Sequence, residues 1–130
     1  MKSERSRLIA RIDKVFSEYI RRRDFSVLPY VKCPTCGKLM QYEESDAGHF
    51  INRRAMNTRW NELNVWAQCR ACNRFAEGKQ YEYGLWLERK IGKAEVEKLL
   101  TLSKMQAGFD IPRLEYELEI WKKKLKDVEK

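Results

Sequence analysis

CPTCGKLMQYEESDAGHFINRRAMNTRWNELNVWAQCRACN, residues 33–73, holds all four cysteines and the only histidine of a 130-residue chain. Cys33-Pro34-Thr35-Cys36-Gly37 reads as a knuckle, two thiolates on a tight turn with Gly37 letting the backbone fold back over a metal. Cys69-Arg70-Ala71-Cys72 supplies a second pair, and together they make the four soft ligands of a closed tetrahedral zinc site. Such a site contributes folding energy and leaves no open position for chemistry. Unligated core cysteines would not be expected to fall into two C-x-x-C pairs, and a redox dithiol needs only one. The interval between the pairs is longer than the usual gap within a zinc ribbon, so the metal closes a loop that must hold something else.

The chain as a whole is basic, with 27 Lys+Arg against 19 Asp+Glu and a net charge of +8. That balance favours a polyanionic partner such as nucleic acid, with a membrane surface as the alternative. Met1-Lys2-Ser3-Glu4-Arg5 is followed by no apolar signal region, and no run is long enough to span a bilayer. The expectation is a cytoplasmic protein without a membrane partner, in whose reducing surroundings cysteines bind metal rather than form disulfides.

Leu8, Ile9, Ile12, Val15, Phe16, Tyr19 and Ile20 recur at three- and four-residue steps and predict an amphipathic helix over 3–24. Leu28-Pro29-Tyr30-Val31 leads in extended form to the first cysteine. Two short strands joined by a turn at Glu43-Glu44-Ser45 are expected over 38–51, a loop over 52–61 and a strand at Val65-Trp66-Ala67. Phe75, Tyr83, Trp86, Leu87 and Ile91 suggest a helix closed by Gly92 and interrupted at Gly78. Val96, Leu99 and Leu100 mark another, and after a loop bracketed by Gly108 and Pro112 a last helix carries Leu114, Leu118, Trp121 and Leu125. Its seam packs either on the domain or on a second subunit. One domain over 1–130 is expected: a basic helix (1–27), a cysteine-bearing core (28–92) and C-terminal helices (93–130). The fold class is α+β.

His49 ends the Asp46-Ala47-Gly48-His49-Phe50-Ile51 segment, Asn64 lies five residues before Cys69, and Asn73 follows Cys72 directly. A histidine near neutral pKa can take a proton from water, an asparagine can fix its tautomer and orientation, and oxygen ligands can hold a hard cation. Those are the parts of a one-metal phosphodiesterase. On residue types alone the plainer reading stays open, with His49 structural and the asparagines serving as turn or cap residues.

The order of these pieces resembles that of the zinc-braced HNH (His-Me finger, or ββα-metal) nucleases. Through Asp46–Ile51, Asn64–Cys69 and Cys72-Asn73-Arg74-Phe75 the chain looks most like the NinG (Rap) family of phage recombination nucleases. It is similar at the same level to phage recombination endonuclease VII. The resemblance covers roughly Cys33 to Gly92 and implies a ββα-metal core with helical flanks. It also implies that His49 is the general base, Asn64 the central asparagine and Asn73 a ligand of a catalytic Mg²⁺ or Mn²⁺. Many relatives have Asp directly before the histidine; here Gly48 stands there. Asp46, two residues upstream on a strand, or Glu77, one helical turn after Asn73, would then complete the cage.

Arg53, Arg54 and Arg59, between His49 and Asn64, are candidate phosphate contacts, extended by Arg70 and Arg74. Arg21, Arg22 and Arg23 offer a second DNA-contacting stripe, and Trp60 and Trp66 candidate stacking surfaces for an unpaired base. The resemblance implies a metal-dependent DNA endonuclease acting on branched recombination intermediates such as Holliday junctions or D-loops, as a possible homodimer, in a bacterium or a phage-infected cell. The alternatives are a non-catalytic zinc DNA-binding module and an HNH nuclease nicking ordinary duplex.

Overall fold

The computed structural model describes residues 2–25, 30–106 and 108–129. The expected extended approach at Leu28-Pro29 lies outside them. Helix α1 (Glu4–Phe25) runs one residue past the predicted end and buries Leu8, Ile12, Phe16 and Ile20, the i, i+4 stripe read from the sequence. Strands β1 (Val31–Lys32) and β2 (Leu39–Met40) pair antiparallel, Val31 opposite Met40, and flank the first cysteine knuckle. A 3₁₀ turn at Tyr42–Glu44 leads to β3 (Ser45–His49), which pairs antiparallel with β4 (Val65–Cys69). Its register sets Ser45 opposite Cys69 and His49 opposite Val65.

The strands expected over 38–51 therefore exist but do not pair with each other. β3 takes the distant β4 instead, and this ties the histidine strand to the second cysteine pair. The expected loop over 52–61 contains a single helical turn, α2 (Met56–Arg59). Beyond β4, a five-residue π-helical turn (Ala71–Phe75) gives way to α3 (Gln80–Ile91), α4 (Lys93–Ser103) and α5 (Ile111–Val128). Between the π turn and α3, Glu77, Gly78 and Lys79 all take left-handed backbone conformations, so the interruption expected at Gly78 is a full break. Gly92, with φ +93°, ends α3 as predicted.

Pro112 does not close the loop before α5. It sits in the first turn, where its missing N–H costs nothing, behind an N-cap Asp110 whose carboxylate accepts from the Arg113 amide at 3.0 Å. The α5 seam packs within the chain: Leu114, Leu118 and Trp121 join Leu8, Ile12, Phe16 and Ile20 in one core, with Trp60, Val65 and Phe109. A second core, around the cysteines, holds Val31, Met40 and Ala67. A third joins Leu87 of α3 to Val96 and Leu99 of α4. Leu100 and Phe75, read as apolar helix-face positions, are exposed. Among the described residues no helix is long and apolar enough to cross a membrane. The architecture is mixed α+β, mostly helical, with two small two-stranded sheets.

Candidate functional site

The four cysteines converge as their spacing demands. Their sulfurs all lie within 4.8 Å of one another, and Cys36 Sγ and Cys69 Sγ are 3.7 Å apart. Zn–S bonds of about 2.3 Å give a tetrahedron with edges of about 3.8 Å, so the cluster fits the expected metal. Gly37, at φ +80°, donates its amide to the Cys33 carbonyl at 2.9 Å and closes the turn. The Cys69 amide donates to Cys33 Sγ and the Cys72 amide to Cys69 Sγ, both at 3.4 Å. Burial pushes the Cys33 thiol up, but the Cys69 amide and the Thr35 hydroxyl and amide bring it down to about 6. Burial and the neighbouring sulfurs push Cys72 up to about 12. Sulfurs this close cannot all ionise alone, and a bound dication removes that conflict.

His49 ends β3, partly buried, with its ring near Phe16, 6.5 Å between ring centroids. Its Nε2 is 2.8 Å from the Arg59 carbonyl oxygen, which can only accept, so Nε2 carries the proton and Nδ1 holds the lone pair. Burial lowers the imidazole pKa to about 4; Arg53 and Arg59 push the same way, against the Arg59 carbonyl and Asp13. The ring is thus a neutral proton acceptor at pH 7.

Asn64, fully buried, does not touch that ring. Its Oδ1 accepts from the Ile51 amide at 2.8 Å, and its Nδ2 donates to the Ile51 carbonyl at 3.1 Å and the Thr58 carbonyl at 3.0 Å. It clamps both ends of the 51–58 loop and so sets where the Arg59 carbonyl meets His49. The orienting role expected for an asparagine is exerted through backbone.

A cleft of about 990 Å³ opens beside His49, lined also by Asp46, Asn73, Glu77, Arg53, Arg54, Arg74 and Asp13. Asp46 and Asn73, expected as neighbours, are neighbours: Asn73 Nδ2 donates to Asp46 Oδ2 at 3.0 Å. Arg74 grips both oxygens of Asp46 at 2.8 and 2.9 Å, with Arg70 at 3.7 Å. Burial pushes the Asp46 carboxyl up, yet Arg74 and Asn73 hold it below its ordinary range. Glu77 reaches the cleft rim from a left-handed turn (φ +52°), not from the helical turn after Asn73, because the helix breaks at Phe75. Among the described residues the cysteines are the only group of three or more His, Cys, Asp or Glu side chains close enough to share a metal.

The glycine before His49 has a steric cause. A Cβ on Gly48 would lie 2.1 Å from Gln68 Oε1 and 2.8 Å from Gln68 Cβ. Gln68 is fixed there by donating to the Gly78 carbonyl at 2.9 Å and to Thr35 Oγ1 at 3.0 Å. Its side chain thus ties the strand behind His49 to the first knuckle.

The arginines divide. Arg53, Arg54, Arg70 and Arg74 are exposed at or beside the cleft, although Arg74 and Arg70 also pair with Asp46. Arg59 is committed inside: its guanidinium bonds Asp13 at 3.0 and 2.6 Å, and Trp60 Nε1 bonds the same carboxylate at 2.9 Å. Its backbone carbonyl meets His49, while its guanidinium, expected as a phosphate contact, is engaged by Asp13. Arg21 and Arg22 pair with Glu18 at 2.6 and 3.0 Å, and Arg22 stacks 4.7 Å from the Tyr42 ring centroid. Arg23 donates to the Glu62 and Val65 carbonyls, both at 2.9 Å, over the Trp66 ring. In the expected second stripe, Arg21 and Arg22 are thus engaged by Glu18 of α1 and by Tyr42 of the 3₁₀ turn, and Arg23 ties α1 to the start of β4. Trp60 is buried in the core, and Trp66 lies between Arg23 and Trp86, so neither presents a free stacking face. Sequence reasoning missed Asp13, the one acid of α1 that reaches the loop; a single carboxylate between Arg11 and Lys14 was its faint signal.

A family model described as Bacteriophage Lambda NinG protein matches residues 1–130. Protein ninG of Escherichia phage lambda and Protein ninG of Salmonella phage P22 are each 33% identical to the chain over 96 residues, 73% of this chain and 45% of theirs. Protein ninG of Escherichia phage 933W is 32% identical over the same shares. The chain thus spans less than half the length of these curated relatives. No solved structure matches it.

Proposed function

The chain belongs to the NinG family, and on that premise we propose that it is a divalent-metal-dependent DNA endonuclease of the HNH (ββα-metal) type, acting on branched recombination intermediates in a phage-infected bacterial cell. The observation that carries the reading is the His49 imidazole: neutral, Nε2–H bound to the Arg59 carbonyl, Nδ1 left to accept, in a cleft that also gathers Asp46, Asn73 and three arginines.

In this reading water attacks phosphorus, its proton passes to His49 Nδ1, and the bond from phosphorus to the 3′ oxygen breaks. Arg53 and Arg54 hold the phosphate in register, and Arg74 adds positive charge to the same cleft. Asp46 and Asn73 would hold Mg²⁺ or Mn²⁺, a cation that needs only one or two protein ligands when substrate phosphate and water fill its remaining positions. When bound, it supplies charge stabilisation to the phosphoryl oxygens and the departing 3′ oxygen. The four cysteines brace the fold with zinc. A homodimer suits paired cuts on a four-way junction, with faces other than the α5 seam forming the contact, since that seam is buried within the chain.

One observation favours a second reading, a non-catalytic zinc DNA-binding module: the Asp46 carboxylate is already paired by Arg74 and Arg70. Labelled four-way junction and matched linear duplex, incubated with and without Mg²⁺, separate the two. Mg²⁺-dependent cuts on the junction support the nuclease. Binding without cuts supports the module, and equal cutting of both DNAs supports a duplex nickase.

A further inference from the structure

Phe75 and Tyr81 are the two most exposed large apolar side chains among the described residues, 85% and 76% accessible. Each directly follows a cleft residue in the chain, Phe75 after Arg74 at the end of the π turn and Tyr81 after Gln80 in the first turn of α3. Leu85, one turn beyond Tyr81 on α3, is also exposed, while Tyr83 and Leu87 turn into the core. Phe75 and Tyr81 thus stay outside the core, each next in the chain to a residue that lines the cleft. Solvent-held rings at such a place fit an apolar occupant that arrives with the substrate.

Charge selects the occupant. Arg70 and Arg74 precede Phe75 along the chain and both converge on Asp46, and Arg53, Arg54 and Arg74 line the cleft. An aromatic surface beside guanidiniums matches a nucleobase attached to phosphate, and duplex DNA keeps its bases stacked and its π faces hidden. We propose that Phe75, with Tyr81, forms a stacking platform for a base that has left its stack next to the scissile phosphate, and is what gives this site its preference for branched over linear DNA. This rests on the reading above that the cleft binds DNA, and it supplies the residue that reading lacks for structure selectivity.

The test measures binding alone, without added divalent cation, so it does not depend on cleavage. Four-way junction and linear duplex of matched sequence, the junction carrying 2-aminopurine at the branch, are titrated with the wild-type chain, Phe75→Ala, Phe75→Trp and Tyr81→Ala. Because both rings are outside the core, all variants should keep their zinc and their thermal midpoint. Phe75→Ala should lose about tenfold in junction affinity with less than twofold change for duplex, and should abolish the 2-aminopurine response. Tyr81→Ala should lose less, and Phe75→Trp should keep the preference. An unchanged junction-to-duplex ratio in Phe75→Ala overturns the proposal, as does a ratio of one in the wild type. Reduced self-association in its place would assign the rings to a contact between copies. A preference that depends on Phe75 in a protein that never cuts would uphold the platform while removing the nuclease reading.

Discussion

The α1–α5 end of the molecule and the cysteine end are stabilised by different means. At the first, Leu8, Ile12, Phe16 and Ile20 interlock with Leu114, Leu118 and Trp121, and Phe16 meets Trp121 edge-on at 4.6 Å. At the second, the buried set is Val31, Met40, Ala67 and three cysteines, too little apolar surface to hold two-residue strands together. The four cysteines there could hold a metal that replaces the missing core. The β3–β4 pair bridges the two: Ala47 and Val65 face the helical core, Ala67 and Cys69 the cysteines. His49 sits on the strand that both ends hold in place, so the candidate site depends on each of them in a different way.

Removing the metal should break the symmetry of that dependence most severely. Structural zinc contributes about 10–16 kcal/mol in small fingers. Chelation or Cys69→Ser should expose residues 30–44 to protease and end any DNA cleavage, while far-UV circular dichroism retains most of the α1 and α5 signal. Helix loss in parallel with zinc loss would show that the ends are not separable. Phe16→Ala strikes the other end. It should cost about 3–5 kcal/mol in denaturant unfolding with the zinc content still one per chain.

Acid acts between the two. His49 has a folded pKa of about 4 against an ordinary 6.5. Between those values the unfolded chain takes up a proton that the folded chain refuses, so stability is lost as pH falls from 6.5 to 4, by about 3 kcal/mol. The measurement is the difference in unfolding free energy between wild type and His49→Gln across that range. The single imidazole makes the companion NMR titration unambiguous: a neutral ring protonated on Nε2 down to about pH 4. Asn64→Ala, which strips partners from Ile51 and Thr58, should cost about 2 kcal/mol and reduce cleavage by loosening the loop around His49. Gly48→Ala, forcing Gln68 off the strand, should cost about 1 kcal/mol and leave zinc in place.

What the sequence shows and what it hides follow the same division. The knuckles, the α1 stripe and the Gly92 stop are legible because each rests on local spacing. The pairing of β3 with β4 is not, because short strands carry no mark of which partner they will take, and nearness in sequence points to the strand at Leu39–Met40 instead. Charge is the least legible property. Arg21, Arg22, Arg23 and Arg59 read as contacts for a polyanion, yet the fold gives them Glu18, Asp13, carbonyls and aromatic rings as partners. Phe75 reads as part of the helix closed by Gly92, but its helical spacing from Tyr83 holds only if that helix is continuous, and three left-handed residues break it. The candidate site itself was legible in its residue types, His49 with Asp46 and Asn73. Its geometry was not: the Arg59 carbonyl that sets the tautomer and the Asn64 clamp both act through backbone.

The most direct test of the account is the single-turnover cleavage rate of a labelled four-way junction in Mg²⁺, at saturating protein, for the wild-type chain and His49→Ala. A general base at His49 predicts a loss of about 100-fold or more in the rate with junction affinity unchanged. Equal rates for the two proteins would contradict it.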